Sequence, residues 1–122
     1  MAMKVLIVDD EEMAIKLLDH ELSDAGYEVI SCTDGREALE LIKNEEPGLV
    51  ISDIMMPFMS GLELLEVIKS DSKKIPVILI SALDDVEVIQ TAIGMGADDF
   101  VIKPVNMHEL LLRITKVLAN VN

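Results

Sequence analysis

Aromatic side chains are almost missing from this chain: Trp is absent, and 122 residues hold one Tyr and two Phe. Single-stranded nucleic acid binds by stacking its bases on aromatic platforms, so that mode is excluded. Basic residues are also scarce, 10 against 23 acidic, and the formal net charge of -13 sets up a field that repels phosphate backbones and anionic lipid. Direct contact with nucleic acid or a membrane surface is therefore not expected, and any genomic action would need another domain or partner. A single cysteine, Cys32, cannot close an internal disulfide; beside Val29 and Ile30 it reads as a small buried residue in a reducing compartment. No apolar run approaches the ~20 residues of a membrane-spanning helix. Met1-Ala2-Met3-Lys4 leads straight into an apolar strand, without the basic region and cleavage site of a secretory signal. The expected location is the cytoplasm.

What remains is globular. Hydrophobic residues make up 51% and charged residues 27%, enough for one core, and the length fits a single domain over residues 1–122. Five short runs rich in Val and Ile, at 5–8, 28–32, 49–52, 77–80 and 100–102, are too brief for helices and read as buried strands. Between them, 11–25, 36–44, 61–70, 86–95 and 107–119 have helical periodicity. Asp34, Ser60, Asp84 and Asn106 are each followed three residues on by Glu37, Glu63, Glu87 and Glu109, a helix-start signature. Gly26, Gly94 or Gly96, and Pro47-Gly48 supply stops. Strict βα alternation predicts an α/β fold, a doubly wound parallel sheet with helices on both faces, whose chemistry lies at the carboxyl ends of the strands.

Those ends carry Asp9 and Asp10 after the first strand, Asp53 after the third, Ser81 after the fourth and Lys103 after the fifth. Taken singly, each has an ordinary reading: Asp9 and Asp10 as helix caps, Asp53 and Ser81 as turn residues, Lys103 as solvated charge. Five such residues at four strand ends make a constellation. If the first and third strands are neighbours, three carboxylates converge, repel one another and raise their pKa values. Mg²⁺ offsets that repulsion, since it favours one or two carboxylates plus water and phosphate; no EF-hand spacing points to calcium. With Mg²⁺ and Lys103 the formal charge balances. Such a site suits phosphoryl transfer, with Asp53 as nucleophile forming an acyl phosphate.

Over essentially its whole length the sequence resembles the receiver domains of two-component response regulators, the chemotaxis regulators among them. The resemblance rests on Val8-Asp9-Asp10, Asp53-Ile54-Met55-Met56-Pro57 with Gly61 four residues on, Ser81-Ala82, Gly96-Ala97-Asp98-Asp99-Phe100 and Lys103-Pro104. It implies a flavodoxin-like (βα)5 fold with strand order 2-1-3-4-5. It implies Asp53 as phosphoacceptor, with Asp10 and Asp53 as direct Mg²⁺ ligands, Asp9 as a ligand through water and the Met55 carbonyl completing the set. Ser81, Ala82 and Lys103 would contact the phosphoryl group, and Lys103-Pro104 would be a cis peptide. Ser81 and Phe100 would form the switch, reshaping the face made by the fourth helix, fifth strand and fifth helix. Such a domain assists its own phosphorylation and dephosphorylation and is not an enzyme in the usual sense. Its phosphodonor is a histidine kinase or histidine phosphotransfer protein, and a downstream protein or output domain reads the switched face. The chain would be a monomer or a phosphorylation-dependent dimer.

Docking to the donor is expected through the first helix, where Met13, Ala14 and Leu17 lie off the stripe of Ile15, Leu18, Leu22 and Ala25, and through Pro104 and Val105. A broad core face is the alternative for those three residues. Phe58 departs from the family's small or polar loop residues and is expected to fold onto Met55, Met56 or Met59. Phe100 lacks the hydroxyl of the frequent Tyr. Met55 and Leu83 are apolar where polar groups could orient an attacking water, which predicts a long-lived phosphoryl form. His20 and His108 lack metal-ligand spacing and read as exposed helix residues. A phosphorylation-independent receiver-like interaction module is the alternative function. A flavin carrier is disfavoured by the acidic loop Asp9-Asp10-Glu11-Glu12, and a haloacid-dehalogenase phosphatase by Met55 in place of its second Asp. Kinase, pathway and output are not legible, nor is whether the chain stands alone or belongs to a longer regulator.

Overall fold

The computed structural model describes residues 2–82 and 86–120. Strands β1 (Lys4–Val8), β2 (Glu28–Cys32), β3 (Leu49–Asp53), β4 (Val77–Ser81) and β5 (Asp99–Ile102) alternate with helices α1 (Glu12–Asp24), α2 (Gly35–Glu45), α3 (Gly61–Ser70), α4 (Val86–Gly94) and α5 (Met107–Ala119). All pairings are parallel, and the sheet order is β2-β1-β3-β4-β5, the order the resemblance implied.

Alternation along each strand builds two cores. Val5, Ile7, Leu49, Ile51, Ile78 and Ile80 face a cluster closed by Leu18 and Leu22 of α1 and Leu110, Ile114 and Val117 of α5. Leu6, Val8, Val50, Val77 and Leu79 face the other side, closed by Ala38 of α2, Leu64, Leu65 and Ile68 of α3, and Ala92 of α4. Each fully buried Leu or Ile contributes about 1.5–3 kcal/mol, so the central strands β1, β3 and β4, buried on both faces, carry much of the stabilising apolar burial.

Three of the four helix-start signatures are observed. The Asp34 carboxylate accepts the N–H groups of Arg36 and Glu37, Ser60 Oγ that of Glu63, and Asn106 Oδ1 that of Glu109. The fourth, at Asp84, lies outside the described residues. The stop after α2 differs from expectation. Glu46, not Gly48, takes the left-handed position at φ 49°, so Pro47-Gly48 only redirects a chain already turned. Among the described residues no helix is long and apolar enough to cross a membrane.

Candidate phosphoacceptor and metal site

The topological switch point falls between β1 and β3, where the chain leaves the sheet in opposite directions. β3 and β4 each run one residue further than expected, so Asp53 pairs with Ile80 and Ser81 with Ile102 in the ladder itself. Both candidate side chains therefore project from strand ends held in the ladder. Gly61, which opens α3, keeps the loop after β3 tight: a Cβ there would collide with the Asp53 carbonyl oxygen and the Ile54 Cα. Its own N–H donates to the Ile54 carbonyl at 2.8 Å.

The carboxylates of Asp9, Asp10 and Asp53 converge, with one oxygen from each lying within 4.8 Å of the others. Asp9 and Asp53 are buried and Asp10 is exposed. Lys103 Nζ donates to Asp53 Oδ2 at 2.7 Å, and the Met55 N–H donates to Asp53 Oδ1 at 3.2 Å. Burial pushes the Asp9 carboxyl above its usual range, and the neighbouring Asp53 charge adds to the rise; the Glu11 N–H, donated at 2.9 Å, works against it. Lys103 is held more firmly protonated by its bond to Asp53. Counting Lys103, the cluster keeps a formal charge of minus two. That imbalance, built from hard oxygen donors in a partly open crevice, fits a small divalent cation with free coordination positions.

The remaining expected residues occupy different parts of the fold. Ser81 is buried, its Oγ donating to the Ala82 carbonyl at 3.3 Å. Lys103-Pro104 is cis. Phe100 is half-buried and packs on the α2–α3–α4 side of the sheet. Met13 and Leu17 are 75% and 53% exposed, which removes the core reading for those two residues, while Ala14 is half-buried. Beside them an apolar groove of about 540 Å³ starts at Asp9 and Lys103 and runs between Ala14 and Leu17 on one side and Pro104 and Val105 on the other. Cys32 is buried, its thiol pushed up to about 12 by burial, and both histidines are exposed. Leu83 lies outside the described residues.

One expectation is overturned. Phe58 does not fold onto the methionines; it stands 76% exposed at φ 68°, with the Arg36 guanidinium 4.3 Å above its ring. The sequence offered no pattern joining a helix-start Arg to a loop Phe, and the contact follows from tertiary approach alone. Gly61, eight residues after the strand-end Asp, is the sequence signal for the close backbone approach after β3.

Comparison with known proteins gives the context for this geometry. A family model described as "Response regulator receiver domain" matches residues 5–115. A protein of Guillardia theta named probable transcriptional regulator ycf27 is 46% identical over 119 residues, covering 98% of this chain and 46% of its own length. The alkaline phosphatase synthesis transcriptional regulatory protein PhoP of Bacillus subtilis is 34% identical over 115 residues, covering 94% of this chain and 48% of its own. The chain thus spans about half the length of these curated relatives. Among solved structures, chemotaxis response regulator CheY4 of Vibrio cholerae superposes with a TM-score of 0.89 at 34% identity, covering 96% of this chain and 99% of that one. With family match, topology and strand-end residues in agreement, the chain belongs to the response regulator receiver domain family of two-component systems.

Proposed function

We propose that residues 1–122 form one receiver unit that accepts a phosphoryl group on Asp53 from a histidine kinase or histidine phosphotransfer protein. The observation that carries this reading is the Lys103 Nζ to Asp53 Oδ2 contact of 2.7 Å inside a cluster of three carboxylates. Asp10 and Asp53 would hold Mg²⁺ directly, Asp9 through water, with the Met55 carbonyl as a further ligand. When bound, the ion supplies charge neutralisation to the phosphoryl oxygens.

The chain's own residues do the rest. One Asp53 carboxylate oxygen attacks phosphorus, the bond from phosphorus to the donor imidazole nitrogen breaks, and that nitrogen keeps the electron pair and is protonated. Lys103 moves its N–H donors from Asp53 to a phosphoryl oxygen, keeping its counter-charge throughout. The Ser81 hydroxyl is free to follow, because a 3.3 Å bond to its neighbour's carbonyl is long for an O–H donor and cheap to exchange. The Ala82 N–H meets a third oxygen. Movement of Ser81 opens space for the half-buried Phe100, and the α4–β5–α5 face changes for a downstream protein or output domain. To swing that equilibrium from 1:99 to 99:1 the phosphoryl contacts must favour one state by about 5.5 kcal/mol.

The groove between α1 and the loop at Pro104 and Val105 opens onto the site, so a donor helix seated there brings its histidine to Asp53. Exposed Met13 and Leu17 extend the apolar footing. A cytoplasmic setting suits this exchange. Met55 is 70% exposed beside the crevice, where its thioether cannot orient water. Replacing Met55 by Glu is expected to shorten the acyl-phosphate half-life several-fold, followed by decay in excess Mg²⁺; an unchanged half-life would count against a water-excluding role.

Intact mass after exposure to a small phosphodonor with Mg²⁺ tests the main reading. One added phosphoryl group is expected, lost with chelator and lost in Asp53→Asn. No mass gain, or a gain that survives Asp53→Asn, would favour the phosphorylation-independent interaction module.

A further inference from the structure

The loop from β3 to α3 contains a conformation that its residue type disfavours. The Met59 N–H donates to the Pro57 carbonyl at 2.8 Å, closing a three-residue turn around Phe58 at φ 68°. This is a γ-turn of the rare, strained hand, and a bulky residue is its worst occupant. Strained backbone persists where its surroundings over-determine it. Here two neighbouring contacts do so, and both come from the first turn of α2. The Arg36 guanidinium lies over the Phe58 ring at 4.3 Å, while Gly35 admits the Met59 side chain so closely that a Cβ on Gly35 would meet Met59 Cβ at 2.9 Å. Asp34 secures that turn by accepting the N–H groups of Arg36 and Glu37.

Two residues upstream of the turn, the same loop supplies the Met55 N–H that binds Asp53 Oδ1. At its other end Gly61 closes against the Asp53 carbonyl. The loop is therefore anchored at both ends on the phosphoacceptor and gripped in the middle by α2. We propose that Arg36 and Phe58 are positioning residues: their cation–π contact clamps the strained turn and thereby fixes the Met55 main chain for divalent-cation binding at the carboxylate cluster. The proposal rests on the reading of that cluster as a Mg²⁺ site.

Electrostatics and the clamp make opposite statements about Arg36, which makes the idea testable. Removing a positive charge from a chain of net charge -13 would by itself favour cation binding. Loosening the clamp would weaken it. Mg²⁺ titration of the 122-residue chain, followed by amide NMR, is expected to show about a fivefold to tenfold weaker affinity in Arg36→Ala, equal to about 1–1.4 kcal/mol. In Arg36→Lys, which keeps a cation for the ring, affinity is expected to recover to near the parent's. A second variant guards against misfolding: Phe58→Gly relieves the positive-φ strain. Its metal-free form is expected to melt no lower than the parent, to exchange its Met55 and Met59 amides faster, and to bind Mg²⁺ more weakly. Unchanged or tighter Mg²⁺ binding in Arg36→Ala or Phe58→Gly would overturn the clamp. Failure of the parent to bind Mg²⁺ would instead overturn the metal site on which it rests.

Discussion

Asp9 is where function and stability pull apart most clearly. Its carboxyl is buried, and burial raises its pKa above the usual 3.8. A carboxyl raised on folding binds more protons in the native state, so stability falls as pH rises through the folded pKa and the penalty is complete above it. Asp9→Asn keeps an acceptor for the Glu11 N–H and removes the charge. At neutral pH, without metal, it is expected to stabilise the chain by about 1 kcal/mol, a rise in Tm of about 3–5 °C. The gain should shrink as pH is lowered through the folded pKa of Asp9, and the variant should lose stabilisation by Mg²⁺. Thermal melts over pH with and without Mg²⁺ measure all three. Asp34 has the opposite sign: the N–H groups of Glu37 and Arg36 lower its pKa, so its contribution is full above 3.8 and is lost as pH falls through its folded value. Asp34→Ala should therefore melt below the parent at neutral pH and converge with it in acid. Placements of such residues were legible where a polar side chain ends an apolar strand, as at Asp9, Asp53, Ser81 and Lys103. They were illegible for Arg36 and Phe58, whose meeting depends on how α2 and the loop after β3 approach in space.

Among elements, the boundaries of α3 and α5 match the periodicity of the sequence, because their caps Ser60 and Asn106 and their buried stripes give the same register. β3 and β4 run one residue beyond the sequence expectation, since Asp53 and Ser81 look like turn residues by type and are held in the ladder by neighbouring strands. Glu46 and Lys74 at positive φ carried no sequence signal, being ordinary charged residues forced into left-handed turns. At the junction between β3 and α3, Gly61 leaves no room for a Cβ. Gly61→Ala is expected to destabilise by about 1–3 kcal/mol, because the displaced atoms are backbone and cannot rotate away. Urea unfolding checks this, and a loss under half that size would mean the loop yields easily. At the amino ends of β4 and β5, Lys69 of α3 donates to the Ile75 carbonyl at 3.0 Å and to Asp98 Oδ2 at 2.7 Å, and the same carboxylate oxygen accepts the Val77 N–H at 2.8 Å. Lys69→Met removes the shared donor and should cost about 2 kcal/mol of unfolding free energy while leaving Mg²⁺ affinity unaltered.

For the whole molecule, the governing fact is a surplus of negative charge, -13 in total, part of it concentrated where β1 and β3 part. The strict βα alternation made the parallel sheet legible from the sequence, whereas the strand order came from family resemblance and is now observed. That order brings the ends of β1 and β3 side by side, so it is the topology, more than any one residue, that creates an anionic crevice with an amine across it. Any ligand that binds only the folded chain must stabilise it, by about 2.7 kcal/mol at one hundred times its dissociation constant. We propose that this crevice directs phosphoryl transfer to one oxygen-bearing side chain, Asp53. The most direct measurement is to treat the chain with a small phosphodonor and Mg²⁺, reduce the acyl phosphate with borohydride and sequence the peptides by mass spectrometry. Homoserine at position 53 is the expected result, abolished by chelator; homoserine at position 9 or 10, or at no aspartate, would contradict the account.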